Sequence, residues 1–223
     1  MGAQNSTSYS IVWREIVQAQ AALLVAIGMQ VIVWQINHEL LIGPQYIIIP
    51  VELALSFLMG FTINMTRSSL RGVHHTLSIV LLALISVANV TSLVLVLRSL
   101  IIEHSIVSGT QLLTSAIPIF ITNIIVFALW YWEIDSPGLT RKRWSKSDKD
   151  FQFIQQDMKQ DFPHWKPEFF DYMYLSLTNA VNFAPADTRP LTHAAKMLMG
   201  IQSLISVFTL ALLIARSVNI LGT

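Results

Sequence analysis

The chain has no cysteine, which excludes disulfide frameworks, thiolate metal centres and cysteine nucleophiles. Charge is the next scarcity: Asp, Glu, Lys and Arg make up 12 % of 223 residues, and the formal net charge is +1. So little polar surface excludes a water-soluble domain of this length, and so small a net charge supplies no basic field for nucleic acid. The sequence contains no G-x-S-x-G elbow, H-E-x-x-H pair or phosphate-binding glycine loop, and no internal repeat or low-complexity tract. Histidines do not cluster: His38, His104, His164 and His193 fall in separate loops, and the adjacent His74 and His75 point in different directions on a helix. Nothing here gives positive support to an enzyme, a bound cofactor or a metal site.

What the chain does have is apolar length, with 53 % hydrophobic residues. A helix needs roughly 20 apolar residues to cross a hydrocarbon core while satisfying its own backbone hydrogen bonds. Five segments meet that need: Ile16 to Ile36, Tyr46 to Met65, Thr76 to Leu97, Gln111 to Trp132, and Thr192 to Ile220. The expected fold is an all-α polytopic membrane protein. The first segment follows Arg14 and Glu15 and precedes no small-residue cleavage site, so it is read as a retained anchor. Trp13 and Trp34 flank it, and Trp130, Tyr131 and Trp132 close the fourth segment, as aromatic residues do at membrane interfaces. Gly28, Gly60, Gly200 and Pro118 read as close-packing or kink positions, and Gln30, Asn64, Asn89, Asn123 and Gln202 as interhelical hydrogen-bonding residues.

The loops sort the remaining charge. Arg14, Arg67, Arg71 and the Arg141, Lys142, Arg143, Lys146, Lys149 cluster fall on one side, with Arg98 and Arg216 on the other. The positive-inside rule then puts the N-terminus in the cytoplasm and the C-terminus outside, in a plasma or inner membrane. The long fourth loop, from Glu133 to Leu191, carries most of the charge. Within it Ser147 and Asp150 have capping-box spacing, and Phe151, Ile154 and Met158 fall at i, i+3 and i+7. That pattern predicts a short amphipathic helix, lying on the membrane surface or packed on the protein. Glu168 to Val181 then reads as a second helix behind Pro167, too short to span and therefore of re-entrant form.

The chain divides into a three-helix region, 1–110, and a module, 111–223. The module comprises an outer helix (111–132), an amphipathic loop (133–167), a re-entrant helix (168–181), a loop (182–191) and an inner helix (192–220). Its run Thr178-Asn-Ala-Val-Asn-Phe-Ala-Pro-Ala-Asp-Thr-Arg-Pro-Leu-Thr192 resembles, without a gap, the potassium-channel run T-T-L-T-T-V-G-Y-G-D-I-V-P-L-T; Thr178, Asp187, Pro190, Leu191 and Thr192 coincide. Tyr174, Ser176, Lys196 and the run Leu213 to Arg216 also resemble that family's pore and inner helices. The resemblance implies a homo-oligomeric, tetrameric pore for inorganic ions, with Thr178, Asn182, Phe183, Ala184, Pro185, Ala186 and Asp187 lining the filter-like stretch. It departs where a potassium filter needs glycine: Ala184 and Ala186 replace the two glycines, and Pro185 fixes its own φ and restricts Ala184. A potassium-selective filter is not expected. Asp187 reads as a carboxylate ring at a pore mouth, as the partner of Arg189, or as a cap for the turn before the last helix.

Glu52 is the one carboxylate inside an expected span, and burying such a group in lipid is costly enough to mark a functional candidate. Three functions stand open at this point: an ion channel, a non-conducting assembly or signalling platform, and a transporter using Glu52. Regularly spaced arginines of a voltage sensor are absent, and the five spans set the charge rule against the orientation of potassium channels, whose pore loop enters from outside.

Overall fold

A computed structural model describes residues 2–36, 45–63, 70–102, 109–135, 149–182 and 187–221. Among them the chain forms α1 (Gly2–Ile36), α2 (Gln45–Ile63), α3 (Leu70–Ile102), α4 (Gly109–Asp135), β1 (Phe151–Phe153), α5 (Ile154–Asp157), α6 (Phe169–Asn182), β2 (Thr188–Pro190) and α7 (His193–Leu221). Stretches in four helices, Val17–Ile36, Thr76–Arg98, Thr110–Asp135 and His193–Ala215, are long and apolar enough to cross a membrane. The fifth expected span coincides with α2, whose 19 residues extend roughly 28 Å at 1.5 Å per residue; the apolar stretch described within it is the shorter Ile47–Leu58. The protein is an all-α, polytopic integral membrane protein.

The outer surface explains why. Val80, Val87 and Val94 recur every seven residues along α3 and are exposed, as are Leu24, Val25 and Ile32 on α1 and Val207 and Ile214 on α7. In water such a belt would be a severe liability, whereas lipid is as apolar as the side chains themselves. Apolar contact between spans therefore supplies no water-expulsion term, and van der Waals packing and hydrogen bonds must hold the helices together.

α4 is the hub. Its apolar window is 67 % buried, against 28 % for that of α7, and it packs on α1, α3, α6 and α7. Pro118 lies buried within α4 and removes one backbone N–H from the helix, while the Ser115 hydroxyl donates to the Gln111 carbonyl at 2.7 Å. Around α4 the larger core joins Ala26, Ile27, Leu81, Ile85 and Val126 to Phe151, Phe169, Tyr172 and Leu175. A smaller cluster of Val33, Leu93, Val96, Leu112, Ala116, Ile119 and Leu212 closes the other end.

Three sequence expectations change. The amphipathic helix through Phe151, Ile154 and Met158 does not form. Phe151 to Phe153 is a strand paired antiparallel with β2, in the register Phe151 to Pro190, Gln152 to Arg189 and Phe153 to Thr188, and only four residues of helix follow in α5. Long-range partners outcompete helical bonds here: Asp135 at the end of α4 accepts the Asp150 and Phe151 N–H groups at 2.8 and 3.0 Å. Tyr131 and Trp132 are not interfacial anchors but core residues, because α4 continues to Asp135 and α6 covers its last turns. Gly28 and Gly200 are not close-packing sites within the chain, since a Cβ at either would meet nothing within 4 Å. Gly60 and Asn64 have no described side-chain environment.

Candidate functional site

α6 begins with a local capping arrangement. Glu168 precedes the first helical residue, and Asp171, three residues further on, accepts the Glu168 N–H through Oδ2 at 2.7 Å. Burial holds the Asp171 carboxyl above its usual range; that hydrogen bond opposes the shift, and the charges of Glu168 and Asp187 reinforce it. The chain leaves α6 at Asn182 and by Asp187 is back beside the start of the unit, where the Asp187 carbonyl accepts the Ile154 N–H at 3.2 Å and the neighbouring Phe153 packs edge-on against Tyr172 in the first turn of α6. β2 then pairs with β1, which precedes α6 in the sequence. The unit goes in and comes out on one side.

Its depth follows from what it touches. The Ser176 hydroxyl donates to the carbonyl of Ile124 at 2.6 Å, and Ile124 lies eleven residues before Asp135, the last residue of α4. At 1.5 Å per residue this is about 16 Å, near half of a ~30 Å hydrocarbon core. Ser176 of α6 thus lies level with the middle of α4, and six further residues of α6 follow it, to Asn182.

A hydrogen-bond network fastens α6 to α4 and α7. Gln202 is its centre: Oε1 accepts Tyr131 Oη–H at 2.5 Å and Asn179 Nδ2–H at 2.8 Å, while Nε2 donates to the Ser176 carbonyl at 3.0 Å and to Ser176 Oγ at 2.7 Å. Asn179 also donates to the Met199 carbonyl at 3.1 Å. Tyr131, Ser176, Asn179 and Gln202 are all buried, so each bond is made where an unmade one would be costly.

The open end of α6 is closed by a second set of contacts. Asp135 Oδ2 accepts the Tyr172 hydroxyl at 2.6 Å, the Leu191 N–H donates to the Asp150 carbonyl at 2.8 Å, and the Thr192 hydroxyl donates to the Asp150 carboxylate. Thr192 Oγ1 in turn accepts the Ala195 N–H at 3.2 Å and so caps α7. Phe153 meets Tyr172 edge-on at 5.4 Å and Trp165 at 5.6 Å, and Phe151 meets Tyr131 edge-on at 5.2 Å. Such ring pairs each contribute about 0.5–1.5 kcal/mol beyond area burial.

The residues singled out from sequence are distributed unevenly over this frame. Thr178 bonds back to its own helix through the Tyr174 and Leu175 carbonyls. Asn182 ends α6 and is exposed. Phe183, Ala184, Pro185 and Ala186 lie outside the described residues. Asp187 is half-buried; its Oδ1 accepts from Thr188 Oγ1 at 3.3 Å, and its backbone carbonyl accepts the Ile154 N–H at 3.2 Å. Arg189 sits exposed opposite Gln152 in the sheet. The cap on α7 is Thr192, not Asp187.

Glu52 lies apart from all of these, on α2 where it packs between α1 and α3. It has no exposed surface, and both carboxylate oxygens lack a hydrogen-bond partner among the described residues. Gln30 of α1 comes near, but its amide donates to the Ile85 carbonyl at 3.4 Å. The carboxylate expected from sequence inside a span is thus fully buried, with the Gln30 side chain of α1 as its polar neighbour.

Tyr131, Asp135, Asp150, Tyr172 and Asn179 escaped the sequence reading as site residues. Their common signal is polarity at helical spacing: Tyr131 and Asp135 are four apart on α4, and Tyr172, Ser176 and Asn179 follow one face of α6. Searches of protein-family models, curated proteins and solved structures return no match for this chain.

Proposed function

We propose that the protein is an ion-conducting channel assembled from several copies, four in the preferred symmetry, with α6, the segment after it and α7 forming the pore module. The observation that carries this reading is the course of the chain around α6: Ser176 lies level with Ile124 midway along α4, and the strands that precede and follow α6 pair with each other. A short helix whose C-terminal end lies inside the bilayer turns its partial negative charge into the membrane, where it favours cations. The same arrangement agrees with the resemblance of Thr178 to Thr192 to the potassium-channel run. The alanines at 184 and 186 and Pro185 argue for a selectivity other than potassium. The charge count favours an N-terminus in the cytoplasm of a plasma or inner membrane.

Single-channel recording of the purified protein in planar bilayers tests this. Unitary currents with cation preference are expected, and Asp187→Asn should lower conductance or weaken that preference. No current above protein-free lipid, across a series of monovalent and divalent cations and voltages, overturns the reading and leaves a non-conducting assembly.

Glu52 supports a second reading, proton or cation transfer through α1 to α3, because a fully buried carboxylate whose oxygens meet no well-aligned donor among the described residues is a standing cost that structure alone does not repay. Glu52→Gln separates the two. It should abolish pH-gradient-driven flux into vesicles if Glu52 carries the ion, and leave α6-dependent currents intact if it does not.

A further inference from the structure

A cavity of about 240 Å³ lies between α3, α4 and α7, away from both α6 and Glu52. Its walls are almost wholly apolar, with Val87 and Val90 from α3, Val126 and Phe127 from α4, and Ile201 and Ile205 from α7. Asn89 and Asn123 bring two amides to this greasy surface. Asn123 is 1 % exposed; its Nδ2 donates to Ser206 Oγ at 2.9 Å, and its Oδ1 is buried without a partner. An unmatched buried amide oxygen costs about 1–3 kcal/mol, and an apolar cavity gives water few groups with which to bond. The site is complete only when something apolar brings one polar hydrogen to Asn123.

We propose that this cavity binds an apolar chain of medium length that carries a hydroxyl group, the hydroxyl meeting Asn123 and the chain lying along Val90, Phe127 and Ile205. The hydroxyl is the group of choice because it both donates and accepts, so it satisfies Asn123 whichever way the amide is turned. The length follows from the volume: at roughly 30 Å³ per non-hydrogen atom, the share of a water molecule in the liquid, 240 Å³ holds about eight atoms. Carboxylates are disfavoured, since the cavity lining contains no Lys or Arg to neutralise one. Val87, 64 % exposed on the outer face of α3, marks the lipid-facing mouth through which a membrane-dissolved molecule arrives.

The test is photolabelling of the full chain in phosphatidylcholine vesicles with a five-carbon alcohol bearing a diazirine, against the same probe lacking the hydroxyl. The alcohol is expected to label peptides from 87–91, 123–127 or 201–205 at least fivefold more than the hydrocarbon, and excess 1-heptanol should compete. Asn123→Leu should reduce the two probes to equal labelling. Because that change also removes the Ser206 bond, Val87→Trp serves as the second variant: it keeps Asn123, fills the mouth and should suppress labelling at these peptides. Equal labelling of the unmodified chain by both probes overturns the proposal and makes the cavity a groove for lipid chains in general. Labelling that survives both variants overturns it as well.

Discussion

At the scale of single residues, Gln202 decides whether α6 stays in place. Gln202→Leu leaves Tyr131 and Asn179 without their shared acceptor, so the expected loss is about 2 kcal/mol or more. Tyr131→Phe removes two bonds, its own to Gln202 and the one it accepts from Asn179, and leaves Asn179 on Gln202, for about 1.2 kcal/mol at the ~0.6 kcal/mol mean of comparable bonds between membrane helices. Unfolding in mixed micelles measures both, and equal losses would remove Gln202 from the centre of the network. Asp171 supplies a pH signature. Its carboxyl is raised in the folded protein, so its contribution favours folding fully below the unfolded value and is lost as pH rises through the folded one. Asp171→Asn keeps an acceptor for the Glu168 N–H while removing the charge. Thermal melts from acid to neutral pH should therefore fall less steeply in the variant; parallel curves refute the assignment.

At the scale of elements, Asp135 joins α4 to β1 and α6 through three accepted bonds. Asp135→Ala removes every acceptor and leaves the Asp150 and Phe151 N–H groups and the Tyr172 hydroxyl without that partner. The strand pair should loosen, and trypsin should cut at the exposed Lys159 about tenfold faster, while the helical circular dichroism of the spans is unchanged. An unaltered rate would show that the aromatic cluster alone holds β1. This junction was also where the sequence was least legible. Spans are written in apolar length, which is a local property, and α3, α4 and α7 were readable for that reason, as was α6 from Pro167 and its 14-residue limit. β1 was not, because three residues become a strand only when β2 and Asp135 arrive from elsewhere in the chain. Helical periodicity at Phe151, Ile154 and Met158 suggested the wrong element, and long-range partners overrode it. Of the site, Glu52 and Gln202 are legible because polar residues stand out in an apolar run, whereas Tyr131 reads as an interfacial ring in the sequence and is buried because α6 covers it.

At the scale of the whole molecule, one apolar face is unlike the lipid-facing belt. Phe170, Tyr174, Leu177 and Val181 recur along α6, and beside them Met197, Ile201 and Leu204 continue on α7, with Gly200 open among them. A spanning helix exposes such a face to lipid without consequence, but a short helix that ends inside the bilayer also has unpaired backbone carbonyls at its C-terminal end to shield. A neighbouring copy on this face would supply that shield and bring the α6 ends toward a common axis. The absence of native cysteine makes the point directly testable. Val181→Cys with Leu204→Cys, joined by a short bismaleimide in native membranes, should give a ladder that ends at four copies, while Val87→Cys on α3 should give none. Gly200→Ala adds a discriminating sign. In open lipid it should stabilise the helix by about 0.5–1 kcal/mol, whereas under a neighbouring helix it should weaken the assembly. A chain that remains monomeric in the cross-linking experiment and is stabilised by Gly200→Ala has only lipid on this face, and a multi-copy pore is then excluded however deeply α6 is set.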